Sequence, residues 1–95
     1  MQILLTFDKD LLALWGQDFG KEIWKTQIEP YSNQNSITLV FQEQISCVAT
    51  SFGRGLLGDE INKLGINAVK RKYTIQSLNK ECQQRFSKHF WDCWD

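Results

Sequence analysis

The stretch 45–65, ISCVATSFGRGLLGDEINKLG, decides how this chain is read. It opens as a polar loop, passes through Thr50 and Ser51 as helix-start residues, and closes at Gly65. A hydroxyl is favoured at a helix N-cap because its oxygen accepts a free backbone N–H of the first turn. Leu57, Ile61 and Leu64 recur at i, i+4 and i+7, with Phe52 and Leu56 on the shoulder of that stripe. This spacing predicts a helix over 51–64 that leans on a sheet. Gly65 stands where a left-handed C-cap belongs. Gly53, Gly55 and Gly58 inside the helix need a reason, since each costs about 1 kcal/mol against Ala in a helix interior. Two reasons are open. One is close packing of the helix on a sheet; the other is a bare helix N-terminus kept accessible to a partner or a phosphate.

Upstream, Ile37–Phe41 (ITLVF) is an unbroken apolar, β-rich run, the pattern of an interior strand covered on both faces. Residues 31–36 (YSNQNS) form the polar loop before it, and Pro30 ends the preceding element. That element reads as a helix, because Leu12, Trp15, Phe19 and Ile23 recur at i, i+3, i+7 and i+11. Asp8 or Asp10 would cap it, and Gly16 or Gly20 marks a place for a break. Residues 2–7 are the first strand. Beyond Gly65, residues 66–69 lead into a strand over 70–75, partly exposed and at an edge. Asn79 then caps a last helix, with Glu81 in its first turn and Cys82, Phe86, Phe90 (or His89) and Cys93 on its buried face. The order β-α-β-α-β-α predicts a single small α/β domain over 1–95, with a largely parallel sheet, helices packed on it and right-handed crossovers.

Composition narrows the function classes. The chain has 95 residues, 42% of them hydrophobic, with four Trp, enough for one core. A formal net charge of zero supplies no long-range field for nucleic acid or an anionic membrane. The first residues carry a short apolar run with no basic region and no small-residue cleavage site, so they read as a strand rather than a signal peptide. No apolar stretch approaches the roughly 20 residues of a membrane helix. Cys47, Cys82 and Cys93 are odd in number and lack C-x-x-C spacing. They read as reduced thiols of a cytoplasmic protein with no intramolecular disulfide, and Cys47 as a packing residue.

Motifs for chemistry are thin. His89 is the sole histidine, and with Cys93 it makes two ligands, short of a structural zinc site. Ser51 and Cys47 lack an accompanying G-x-S-x-G or base motif. Gly53-Arg54-Gly55 resembles a fragment of a nucleotide loop, without the full dinucleotide or P-loop pattern. Lys70-Arg71-Lys72 reads as a solvated strand edge that guards against edge pairing. Trp91 and Trp94 in the tail WDCWD read as packing for the last helix, with partner docking as the alternative. No catalytic residue, cofactor or metal is predicted.

The residues Thr50-Ser51-Phe52, Leu56-Leu57-Gly58 and Leu64-Gly65 resemble the STAS-like domains, small relatives of the sulphate-transporter and anti-sigma-factor-antagonist domain. Gly16, Phe19 and Ile23 upstream and Asn79 downstream agree with that resemblance, which covers about 15–90. In anti-sigma-factor antagonists the matching position is a phosphorylatable Ser at a helix start. The resemblance therefore implies Ser51 as phosphoacceptor, with Thr50 beside it, and Phe52, Gly53, Arg54, Gly55 and Gly58 as partner interface. It implies a regulatory protein-binding module whose partner is a serine-kinase-like ATPase of the histidine-kinase fold. A small STAS subunit of an ABC-transporter ATPase assembly is the alternative, as is a nucleotide-binding or enzymatic domain using the Gly-rich helix start; self-association is left open. Ala49 stands where that family carries Asp, Gly53-Arg54-Gly55 where acidic residues are common, and Val40 where an acid often ends the strand.

Overall fold

The apolar run Ile37–Phe41 is the middle strand of a three-stranded parallel sheet in the computed structural model, which describes residues 1–83 and 90–94, the last two by backbone alone. In chain order the elements are β1 (Gln2–Leu5), β2 (Ala13–Leu14), α1 (Gln17–Ile23), β3 (Ile37–Phe41), β4 (Cys47–Val48), α2 (Thr50–Leu64), α3 (Ile66–Lys72) and β5 (Tyr73–Ser77). A π-helical turn (Trp24–Ile28) and a 3-10 turn (Glu29–Tyr31) extend α1, and another 3-10 turn occupies Phe90–Trp94. The sheet runs β1-β3-β5, with Ile3, Leu39 and Ile75 in one register row and Leu5, Phe41 and Ser77 in the next. The chain is thus α/β, a small parallel sheet with helices packed on it.

Strand order follows chain order, so successive right-handed crossovers place α1 and α2 on the same face of the sheet. The inner face contributes Ile3, Leu5, Ile37, Leu39, Phe41, Tyr73 and Ile75 to one core. Ile23, Trp24 and Ile28 from the first crossover, Phe52, Leu56 and Leu57 from α2 and Val69 from α3 close it. On the outer face Val40, flanked in register by Leu4 and Gln76, is buried, while Gln2, Leu4, Thr74 and Gln76 are exposed. ITLVF is thus buried along its length except at the half-buried Thr38, as expected of an interior strand, while the outward-facing residues of the two edge strands are exposed.

Several boundaries differ from the periodicity reading. The predicted helix over Leu12 to Ile23 begins only at Gln17, because Ala13 and Leu14 pair with Cys47 and Val48. Gly16 follows with φ +96°, a backbone state that no helix contains. Leu12 and Trp15 are accordingly exposed, whereas Ile23 is buried. Pro30 does not stop the chain's helical course; it sits in the opening of the 3-10 turn, where its missing N–H costs nothing. Gly65 does have positive φ, +86°, but with extended ψ, and it breaks α2 from a further helix, α3, where the sequence reading has 66–69 as a lead-in and 70–72 as the start of a strand. Lys70-Arg71-Lys72 is the last turn of α3, where cations suit the negative end of the helix dipole, and not a strand edge. The edge strand starts after it and alternates buried and exposed from Tyr73 to Ser77.

Asn79 opens the turn after β5, its side-chain oxygen accepting the Glu81 N–H at 3.1 Å, while the helix it is expected to cap falls largely on 84–89, outside the described residues. Cys82 is buried, and Phe90 packs against Phe41 with ring centroids 6.4 Å apart. Trp91 meets Phe90 edge-on. Phe86 and His89, and the side chains of Cys93 and Trp94, lie outside the described residues.

Glutamines finish the carboxyl ends of the sheet. The Gln27 carboxamide accepts the Thr6 N–H and donates to the Thr6 carbonyl, both at 2.8 Å, as a neighbouring strand would. Gln42 accepts the Phe7 N–H at 2.9 Å and Gln83 accepts the Ser77 N–H at 2.7 Å. Backbone groups that would otherwise lack partners there are satisfied from within the chain.

Candidate functional site

The loops after β1 and β3 both leave the carboxyl edge of the sheet, and each leads to a helix N-terminus. They are tied together by the β2–β4 pairing and by two bonds around it. The Ser46 N–H donates to the Leu12 carbonyl and the Ala49 N–H to the Leu14 carbonyl, each at 2.8 Å. The start of α2 is thereby fixed beside the start of α1.

Ser51 stands on the exposed first turn of α2, as the sequence places it, but it does not cap that helix. Ala49 is the N-cap residue, in extended conformation, with no side-chain cap bond. The Ser51 Oγ instead accepts the Gly16 N–H at 2.9 Å, across to the residue that precedes α1. Thr50 and Arg54 share the exposed side of the turn. Trp15, 65% exposed, is the neighbour of Gly16, and Leu12, 58% exposed, lies on the same loop. Neither was singled out from sequence as a surface residue, since their spacing imitated a buried helical stripe.

The rest of the expected interface turns inward. Phe52 is fully buried, with its ring 5.4 Å from Phe19 and 6.2 Å from Phe7. Gly53 and Gly55 are buried. A Cβ on Gly55 would collide with the Gln17 carbonyl oxygen, and one on Gly20 would collide with the Phe52 carbonyl oxygen and lie 2.7 Å from the Leu56 N. Close packing is therefore the reason for Gly55, and the surface it packs on is α1 rather than the sheet. That contact sets the rotation of α2: Leu57 is buried, Ile61 half-buried and Leu64 exposed, so the predicted stripe is turned partly outward. Gly58 is half-buried with open space where a Cβ would lie. Phe52, Gly53 and Gly55 are thus unable to form a contact surface, and Thr50, Ser51, Arg54 and Gly58 remain.

A polar cluster that sequence reasoning missed lies at the far end of α2. Glu60 is buried, and its Oε2 accepts from the Lys72 Nζ and the Tyr73 hydroxyl, each at 2.8 Å. The Lys72 ammonium also donates to the Ser32 carbonyl at 2.5 Å and lies 5.4 Å from the Tyr73 ring centroid. Burial raises the Tyr73 hydroxyl pKa far above its ordinary value, and the bond to Glu60 and its charge raise it further. The signal was present in the sequence: Glu60 falls at i+4 from Leu56 and i+3 from Leu57, on the stripe that buries. Its partners hold α2, α3, β5 and the loop after Tyr31 together, a structural duty.

Cys47, expected to pack, is exposed, because it sits on β4 at the margin of the small second sheet. Among the described residues no group of three His, Cys, Asp or Glu is placed to hold a metal ion, and no helix is long and apolar enough to cross a membrane. No family model, curated protein or solved structure matches this chain.

Proposed function

We propose that this chain is a regulatory protein-binding module that docks through the carboxyl-edge surface around Ser51 and is switched by phosphorylation there. One observation carries the reading. The Ser51 hydroxyl lies on an exposed helix-start turn, held by the Gly16 N–H, next in the chain to the exposed Trp15, with the exposed Leu12 farther along the same loop. Aromatic side chains are the common anchors of protein interfaces, and exposed apolar ones rimmed by polar residues mark them. A phosphate on Ser51 would add about −1.5 to −2 charge at the positive end of a helix dipole, where the fold tolerates it. On an apposed apolar or acidic partner surface the same charge would be disruptive.

The STAS resemblance supplies the partner class: a serine-kinase-like ATPase of the histidine-kinase fold, encountered in the cytoplasm. Membership of an ABC-transporter ATPase assembly is the second reading within binding proteins, and Trp15 would serve either. A nucleotide-binding or enzymatic role draws on the glycines at the start of α2, and the burial of Gly53 and Gly55 weighs against it.

The test is capture on the immobilised domain, identification of the retained ATPase by mass spectrometry, and calorimetry with purified partner. Wild type and Ser51→Ala should bind, Ser51→Asp and Trp15→Ala should bind at least tenfold more weakly, and all four should melt within a few degrees of one another. Equal affinities for wild type and Ser51→Asp would reduce Ser51 to a tether between the two helix starts.

A further inference from the structure

We propose that Cys47 and Cys82 form a peroxide-responsive thiol pair that closes to a disulfide at the carboxyl edge of the sheet. Cys47 is exposed on β4, whereas Cys82, 6% exposed, lies in the turn that follows β5. The Cys82 S–H donates to the Ser46 carbonyl at 3.3 Å, the peptide group that leads directly into Cys47. A trans peptide holds its carbonyl oxygen about 2.8 Å from the next Cα, which puts the Cys82 sulfur within about 6 Å of the Cys47 Cα. A disulfide asks for Cα atoms about 4.4–6.8 Å apart, and since the Cys82 Cα stands about 2.8 Å from its own sulfur the two Cα atoms are within about 9 Å. Closure takes side-chain rotation together with an advance of the turn after β5 by as much as about 2 Å, a local backbone movement rather than refolding. That turn rests on a Cys82 N–H to Asn79 carbonyl bond of 3.0 Å and the Asn79 side-chain bond, and Lys80 and Glu81 within it are exposed.

Exposure divides the labour. The accessible Cys47 thiolate attacks the peroxide O–O bond, forming Cys47 sulfenic acid and releasing hydroxide. The Cys82 thiol, once its hold on the Ser46 carbonyl breaks, attacks the sulfenic sulfur and releases water. In sum two thiols are oxidised to one disulfide and hydrogen peroxide is reduced to two waters. The resting state keeps free thiols, in accord with a reducing compartment, and the bond ties the segment after β5 to the residues just before α2.

Purified reduced protein treated with a few equivalents of hydrogen peroxide, then denatured and alkylated, reads the outcome by mass. The intact chain should lose two hydrogens, and a protease digest should contain the Cys47–Cys82 linked peptides. Cys93→Ser should close in the same way. Cys47→Ser, a change at an exposed position, should keep its fold and its full thiol mass. Cys82→Ser should leave a dimedone-trapped sulfenic acid on Cys47. A linkage through Cys93, an intermolecular Cys47 dimer, or Cys47 advancing to sulfinic acid while Cys82 stays alkylatable would overturn the proposal.

Discussion

Gly55 of α2 rests on the carbonyl of Gln17 at the start of α1, with no room between them for a methyl group. Gly20 makes the reciprocal approach from α1 to the Phe52 carbonyl. Two helices meeting backbone to backbone cannot yield as a flexible side chain would. Gly55→Ala and Gly20→Ala should therefore each lower stability by about 2–3 kcal/mol in urea titrations, at the upper end of overpacking costs.

Gly58 gives the opposite sign. It lies in the interior of the same helix, with nothing within 4 Å of an added Cβ. Gly58→Ala should raise stability by about 0.5–1 kcal/mol, through helix propensity and a less disordered unfolded chain. A loss instead would mean that the glycine has a duty the packing does not show.

Removing the Glu60 carboxylate strands a lysine and a tyrosine that both depend on it. Both carboxylate and ammonium are largely withdrawn from water, with side chains 7% and 15% exposed. Glu60→Ala should cost about 3 kcal/mol, the range for breaking a buried pair. Replacing Glu60 and Lys72 together by apolar residues should cost clearly less than the sum of the single changes, and a double-mutant cycle would read the difference.

Tyr73 makes stability depend on alkaline pH. Its hydroxyl pKa is raised by burial first and by Glu60 second, so the folded value lies above the unfolded one of about 10. The contribution is fully present below about pH 10 and is lost as pH climbs further, because the unfolded chain then releases a proton that the folded chain retains. Urea midpoints measured from pH 8 to 11 should fall above pH 10, and Tyr73→Phe should flatten that fall. A wild-type midpoint that holds steady to pH 11 would refute the assignment.

The two faces of the sheet should respond differently to truncation. Leu4 is 49% exposed on the outer face, and Leu39 is fully buried in the middle strand. Leu4→Thr should change stability by no more than about 0.5 kcal/mol, and Leu39→Ala should cost about 2–5 kcal/mol. Thermal melts of the two variants side by side would show whether the outer face is as open as the register rows make it.

Local chemistry determined much of this protein. An unbroken β-branched and apolar run made Ile37–Phe41 an interior strand, and a helical stripe ended by glycine set α2 to within a residue. Alternation of helix and strand implied the parallel α/β layer, and positive φ at Gly65 followed from glycine at a helix end. What the tertiary structure decided lay in contacts between segments far apart in the chain. Leu12 and Trp15 carry a helical spacing, yet backbone pairing with 47–48 holds their segment extended, and long-range hydrogen bonds overrode periodicity. Three glycines in one helix could serve packing or access; only the placement of α1 against Gly55 answers for that glycine, and the same contact rotates Leu64 to solvent. Ser51 was legible as a helix-start hydroxyl, but its bond goes to Gly16, a partner 35 positions away that no local rule names. Spacing along a chain fixes which residues can share a face, while the direction that face points is set by what the rest of the chain packs against it.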